Sequence, residues 1–122
     1  MEWIERIFSD QYVFSLVTFF NAITFYIVAW ATEKWPPKYP SKTYGYRTKR
    51  SYKSQAHWDY AQEKSKDCSL QLAHVFLIAA LIGYFVPMNV AMGMTLMFVV
   101  MAAGIAWMFF NVEQGLKDNF PE

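Results

Sequence analysis

The chain has a single cysteine, Cys68, and only two histidines among its 122 residues. One cysteine excludes an internal disulfide, and one cysteine with two histidines makes no zinc-binding spacing. The sequence also lacks a nucleophile and base at a recognisable catalytic spacing, a glycine-rich phosphate loop and paired carboxylates. It therefore predicts a protein that is not an enzyme and that carries no metal or other cofactor.

Charged residues are absent from three long apolar blocks. Residues 12–31, 70–86 and 90–110 contain no Asp, Glu, Lys or Arg, whereas an average soluble domain places a charge at about one position in four. A helix needs about 20 apolar residues to cross a bilayer core. The blocks therefore predict an all-α membrane protein with three transmembrane helices, built as one membrane domain over residues 1–122.

The residues before the first block carry three acidic side chains and one basic one. A secretory signal peptide has a basic N-terminal region and a shorter apolar stretch. We therefore expect the first block to remain as a span rather than to be cleaved.

Positive charge is concentrated between the first and second blocks. Nine of the eleven Lys and Arg residues lie in the loop 32–69. Because short loops rich in Lys and Arg stay on the cytoplasmic side, this loop is predicted to be cytoplasmic, with the N-terminus outside and the C-terminus inside. Anionic lipid headgroups are the expected partners of these cations, which explains the basicity without nucleic acid.

Proline and glycine divide the loop. Pro36 and Pro37 should end the first helix, since proline removes a backbone donor and restricts the residue before it. From Ser51, an N-cap candidate, no Gly or Pro interrupts the chain before Gly83. We therefore expect the second helix to begin at Ser51 or two residues later, in the cytoplasm, and to continue into the bilayer. The short connection at Pro87 predicts an antiparallel hairpin of the second and third helices.

The loop also holds a dense motif. It reads Tyr44-Gly45-Tyr46-Arg47-Thr48 and is followed by Ser51, Ser54, Trp58 and Ala61. The pattern resembles the SdpI family of small bacterial membrane proteins, in which a Tyr-Gly-Tyr-Arg-Thr stretch after the first span precedes two Ser, a Trp and an Ala at these spacings. That family often has Asn after the Ala, where this chain has Gln62. The resemblance covers roughly residues 30–81.

The resemblance implies a multi-pass protein of the bacterial cytoplasmic (inner) membrane. The namesake of the family protects its producer against a secreted toxin and holds a transcriptional repressor at the membrane. By resemblance, toxin immunity or membrane-stress signalling is the expected role of this chain.

The motif has the chemistry of an anion-binding or docking element. Arg47 offers a planar fork that suits phosphate or carboxylate. Backbone N–H groups at a helix start, with the Ser51 and Ser54 hydroxyls, would add donors where the helix dipole favours negative charge. Aromatic side chains would wall the site at headgroup depth, namely Tyr44, Tyr46 and Trp58.

Arg47 also has a structural interpretation. On this interpretation Arg47 would form an ion pair with Asp59 or Glu63 and so tie the loop to the second helix. The sequence leaves both the binding and the structural interpretation of Arg47 open. On the binding interpretation, the site consists of the motif and the spaced residues after it, namely Tyr44, Gly45, Tyr46, Arg47, Thr48, Ser51, Ser54 and Trp58.

Polar side chains inside the spans are further candidates. Asn21 lies in the middle of the first span, where an interhelical hydrogen bond is its expected use. Asp67, Gln71 and His74 fall at i, i+4 and i+7 on one face of the second helix. His74 lies about one turn inside the membrane. It is either a functional ionisable group or a neutral histidine bonded to a neighbour, and its closeness to the interface favours the second.

Three functions compete on these grounds. The first is a non-enzymatic SdpI-like membrane protein whose cytoplasmic loop binds a lipid headgroup or a protein partner. The second is an accessory subunit that packs its spans against a larger membrane complex. The third is a small transporter, which would work as an oligomer because three helices enclose little. Besides lipids, the expected partner is another protein or a further copy of this chain.

Overall fold

The computed structural model describes residues 2–7, 9–40 and 44–120. Within these ranges the chain forms α1 at Glu2–Ile7, α2 at Val13–Lys34, α3 at Gln55–Tyr84 and α4 at Val90–Asn119. A 3-10 turn at Asp10–Tyr12 leads into α2. The helices α2, α3 and α4 are each long and apolar enough to cross a membrane, which confirms an all-α, multi-pass membrane architecture. The side of the membrane on which each end lies stays a prediction.

α3 is longer than the apolar block that predicted it. Its 30 residues extend about 45 Å, against about 30 Å of hydrocarbon in a bilayer. One end of α3 therefore projects beyond the bilayer as continuous helix, as the sequence predicted.

The start of α3 differs from the prediction. Its N-cap is Ser54, whose hydroxyl accepts a hydrogen bond from the His57 N–H at 3.1 Å. The expected N-cap Ser51 lies instead in a preceding turn, where its hydroxyl accepts from the Thr48 N–H at 2.8 Å and its own N–H donates to the Thr48 hydroxyl at 3.2 Å. Because Ser51 is engaged with Thr48, it is not available to cap the helix.

α4 also continues beyond its apolar block, which was not predicted. Residues 111–119 contain no proline, and they bury Val112 and Leu116 completely. These two side chains pack in one cluster with Ala61 of α3 and with Tyr46 of the loop. The extensions of α3 and α4 therefore build a small hydrophobic core beyond the apolar blocks.

Inside the spans, α2 and α3 approach closely at a glycine. The Ser15 hydroxyl of α2 donates to the Ala80 carbonyl of α3 at 2.6 Å. Nearby, a Cβ added at Gly83 would lie 2.6 Å from the Phe14 ring, so a larger residue there would have to displace that ring. The connection at 85–89 then reverses the chain, and the Met88 N–H donates to the Gln11 carbonyl at 3.1 Å. This bond fixes the α3–α4 hairpin to the start of α2.

The close approach at Gly83 can be tested by Gly83→Ala. The added methyl group must displace the Phe14 ring, and overpacking of this kind costs about 1–3 kcal/mol. We expect a lower thermal unfolding midpoint in mild detergent. Ala102→Val is the matched control, since it also adds carbon atoms within a span but at a residue that is exposed on α4. Equal midpoints for the two variants would contradict the described packing.

Candidate functional site

The loop between α2 and α3 is anchored to α3 by a tryptophan. Trp58 is completely buried, and its indole N–H donates to the Pro37 carbonyl at 2.5 Å. The Tyr52 ring stacks on Trp58 with ring centroids 5.6 Å apart. On the other side of the loop, the Tyr44 hydroxyl donates to the Trp35 carbonyl at 2.8 Å. These contacts hold the loop against the ends of both α2 and α3.

The backbone of the motif is held by one side chain of α3. The Gln62 carboxamide accepts from the Tyr46 N–H at 2.7 Å and donates to the Tyr46 carbonyl at 2.8 Å. Gly45 has φ +100°, and a Cβ there would lie 2.6 Å from the Gln62 carboxamide oxygen. Glycine is therefore needed before Tyr46 both for the backbone conformation and for the approach of Gln62.

Glu113 of α4 holds the motif from a second direction. The Tyr46 hydroxyl donates to Glu113 Oε1 at 2.7 Å, and Arg50 Nε donates to Glu113 Oε2 at 3.2 Å. The Tyr46 ring lies against Phe109, with ring centroids 5.2 Å apart. Burial raises the pKa of the Tyr46 phenol well above its ordinary value, and the hydrogen bond to Glu113 raises it further. The phenol therefore stays protonated and continues to donate at physiological pH.

A cleft of about 700 Å³ opens beside the anchored loop. The loop side of the cleft is formed by Tyr44, Gly45, Tyr46, Arg47 and Tyr52. α3 contributes polar side chains, namely Gln62, Ser65, Lys66 and Ser69. α2 and α4 contribute a mainly apolar side with Val28, Thr32, Met108 and Phe109. The cleft therefore combines two cations with an apolar surface.

Lys66 connects this cleft to α2. Its ammonium group donates to Glu33 Oε2 at 2.5 Å and to Glu63 Oε1 at 2.8 Å, and its side chain is only 17% exposed. An ammonium group has three N–H donors, so these two bonds leave one for another acceptor. Lys66 thus lies in the cleft with its single positive charge outweighed by two carboxylates, but with one N–H donor still available.

The predicted site residues separate into two groups. Tyr44, Gly45, Tyr46 and Arg47 line the cleft, whereas Thr48, Ser51, Ser54 and Trp58 lie outside its lining and shape or anchor the loop. Glu63 and Asp59, the two carboxylates considered for Arg47, also have other partners, because Glu63 accepts from Lys66 and Asp59 accepts from the Gln55 side chain at 2.8 Å. The ion pair of Arg47 with either one stays a prediction.

Sequence reasoning missed Gln62, Lys66 and Glu113 as site residues. Gln62 did carry a signal, because it stands where the resembling family often has Asn. Glu113 is the first carboxylate after the third apolar block, a position from which it can reach a loop at the membrane boundary.

The polar residues inside the spans have different outcomes. His74 is bonded to a neighbour, with Nδ1 2.5 Å from the Tyr26 hydroxyl. The Asn21 carboxamide has no hydrogen-bond partner within residues 2–7, 9–40 and 44–120. Two other residues of α2 make hydrogen bonds to α3, namely Ser15 and Tyr26, and an interhelical bond of Asn21 stays a prediction.

A model of the SdpI/YfhL protein family matches residues 38–111. The match covers more than half of the chain and contains the motif, Trp58, Gln62 and the cleft residues of α3. The chain belongs to the SdpI/YfhL family. No curated protein and no solved structure matches it.

The hold of Gln62 on the loop of this SdpI/YfhL protein can be tested by Gln62→Leu. The change leaves the Tyr46 N–H and carbonyl without their partner, and an orphaned buried polar group costs about 1–3 kcal/mol. We expect faster amide hydrogen exchange at Tyr46 and a lower unfolding midpoint. Gln114→Leu is the control, because Gln114 is exposed and its side chain bonds Asp118 on its own helix. If both variants exchange alike at Tyr46, the loop is not held by Gln62.

The Tyr46–Glu113 bond predicts a pH dependence. The folded-state pKa of Tyr46 is raised, so its contribution to stability is complete below the ordinary tyrosine pKa of about 10 and is lost as pH rises above it. We expect Tyr46→Phe to lower the unfolding midpoint at about pH 8, and the gap to the wild type to narrow toward about pH 11. Tyr39→Phe, at a tyrosine that is 75% exposed, should show no such narrowing. A Tyr46→Phe gap that is constant with pH would exclude the bond.

Proposed function

We propose that this SdpI/YfhL protein is a non-enzymatic protein of the bacterial inner membrane that binds an anionic phospholipid headgroup in the loop cleft. One observation carries the proposal. The cleft brings Arg47 and Lys66 together with the apolar side chains of Val28, Met108 and Phe109. A phospholipid has the same division, with a charged phosphate at one end and acyl chains at the other.

The depth of the cleft supports a lipid. Lys66 precedes the apolar block 70–86 by four residues, or about 6 Å of helix, and Thr32 follows directly after the block 12–31. The polar side of the cleft therefore lies at headgroup level, while Val28 and Phe109 lie within the apolar blocks.

The donors of the cleft also suit a phosphate. Arg47 provides a planar fork for two oxygens, and Lys66 has one N–H left after its bonds to Glu33 and Glu63. Glu33 and Glu63 outweigh the single charge of Lys66, so the attraction of the cleft for an anion is expected to come from Arg47. Ser69 lies in the same lining and is buried, with its hydroxyl 3.8 Å from the weak acceptor Met108 Sδ. It adds a donor close to the apolar side.

Because the chain belongs to the SdpI/YfhL family, we extend the proposal to a role in toxin immunity or membrane-stress signalling. A headgroup in the cleft would fix the side chains of Arg47 and Tyr44. Trp58 and Gln62 already hold the loop to which these two residues belong. The surface of the loop would then differ between the lipid-bound and the lipid-free protein. This surface would lie at the membrane boundary, where a toxin or a membrane-held regulator acts.

A second function, an accessory subunit of a larger complex, is favoured by the exposed face of α4. Phe98, Val99 and Phe110 are each more than half exposed, and the small residues Ala102 and Ala106 lie on the same helix and are also exposed. Stoichiometric recovery with another membrane protein after mild solubilisation, with instability in its absence, would support this function.

The headgroup proposal is tested by lipid binding. The protein is purified in mild detergent, titrated with phosphatidylglycerol or with neutral phosphatidylcholine, and studied by native mass spectrometry. We expect preferential retention of phosphatidylglycerol. Arg47→Gln should weaken that binding about tenfold or more, the effect of losing one charge-assisted hydrogen bond. Lys49→Gln is the matched control, since Lys49 is exposed in the same loop but outside the cleft lining.

Two outcomes would contradict the proposal. Equal losses for Arg47→Gln and Lys49→Gln would show general attraction to a basic loop, and equal retention of both lipids by the wild type would show no headgroup site. For the immunity role, cells that express Arg47→Gln should lose protection against the toxin although the variant still inserts into the membrane. Cells that express Lys49→Gln should keep that protection.

A further inference from the structure

Two carboxylates flank the lysine of the cleft. Glu33 of α2 and Glu63 of α3 accept hydrogen bonds from the Lys66 ammonium group at 2.5 Å and 2.8 Å. The Lys66 side chain is only 17% exposed, whereas the side chains of Glu33 and Glu63 are 70% and 68% exposed. A carboxylate has about four acceptor sites, so each of the two can accept a further hydrogen bond while it holds Lys66 in place.

A second cavity, of about 420 Å³, adjoins the cleft. The two cavities share Thr32 and Gln62 in their linings. Asp59 in the second cavity lies seven residues before Lys66 on α3, or about 10 Å of helix. The second cavity therefore extends from the cleft in the direction away from the apolar blocks. Its charged side chains are those of Lys38, Asp59 and Glu63.

The charges around Lys66 distinguish between two kinds of phosphate. A phosphodiester carries one negative charge, whereas a phosphate monoester carries about −1.5 to −2 at pH 7. An oxygen bonded to the third N–H of Lys66 would lie about 4–5 Å from the oxygens of Glu33 and Glu63. Like charges at that distance repel each other, so the extra charge of a monoester is unfavourable there.

The alcohol of a phosphodiester headgroup offers what these carboxylates accept. The glycerol of phosphatidylglycerol carries hydroxyl donors beyond the phosphate, and a bare phosphate monoester carries no such alcohol. Glu63 lies three residues before Lys66 on α3, or about 4.5 Å of helix. With the phosphate on Arg47 and Lys66, the headgroup hydroxyls would reach Glu63 at the edge of the second cavity.

We propose that Glu33 and Glu63 make the cleft selective for a phosphodiester whose headgroup alcohol donates hydrogen bonds, and against a phosphate monoester. This inference rests on the headgroup site proposed above. The phosphate contacts Arg47 and the third N–H of Lys66, and the alcohol extends past Lys66 to the carboxylates and the second cavity. Arg47 thus provides the attraction for the phosphate, and the two carboxylates determine which headgroup is bound.

General attraction to the basic loop predicts the opposite order of affinities. Phosphatidic acid is a phosphate monoester and carries more negative charge than phosphatidylglycerol. A surface of cations such as Lys49 would therefore bind phosphatidic acid more tightly. A preference for phosphatidylglycerol in a loop with nine Lys and Arg residues requires a group that repels the additional charge, and Glu33 and Glu63 are such groups.

The selectivity is tested by titrating the purified protein in mild detergent with phosphatidylglycerol or phosphatidic acid, at about pH 7 and constant ionic strength, with native mass spectrometry. We expect the wild type to bind phosphatidylglycerol more tightly. Glu33→Gln and Glu63→Gln should each lower the ratio of the two affinities about 2- to 5-fold, the range for one exposed charge interaction. Asp67→Asn is the matched control, because it removes an exposed carboxylate of α3 outside both linings. It should leave the ratio unchanged.

Three results would overturn the selectivity while the headgroup site stands. They are tighter or equal binding of phosphatidic acid by the wild type, an unchanged ratio in both glutamate variants, and an equal shift in Asp67→Asn. Retained binding of phosphatidylglycerol by the glutamate variants shows that their clefts are folded. If the wild type retains neither lipid, or if Arg47→Gln binds both as the wild type does, the headgroup site itself is wrong and the selectivity with it.

Discussion

The conformation of the loop between α2 and α3 depends on two hydrogen bonds made by the side chain of Gln62. A loop packed against helices has no neighbouring strand to pair with, so its buried backbone groups need side-chain partners. The Gln62 side chain accepts a hydrogen bond from the Tyr46 N–H and donates one to the Tyr46 carbonyl, so both backbone groups of Tyr46 have a partner. The pairing requires the chain to pass close to α3 just before Tyr46, which explains the glycine with positive φ at Gly45. A shorter Asn at position 62 would reach less far, so the loop conformation and the residue at 62 must match.

Once Tyr46 is fixed in this way, neighbouring side chains of the loop lie on different sides and make different contacts. Tyr46 is buried and reaches Glu113 of α4, while Arg47 is exposed along the cleft. Glu113 can reach the loop only because α4 continues as a helix beyond its apolar block. The buried residues Val112 and Leu116 make that continuation stable, since they pack with Ala61 and Tyr46. The extension of α4 is thus part of the site and not a frayed end.

The sequence predicted the three spans and the α3–α4 hairpin because charge-free blocks and a proline turn are local signals. It also located the motif, but it misplaced the N-cap by three residues. Ser51 and Ser54 are equally good caps in isolation, and the contact of Ser51 with Thr48 decides between them. Lys66 and Glu113 could not be assigned to the site in advance. Lys66 was one of nine loop cations, and only the packing of α2 on α3 brings Glu33 to it.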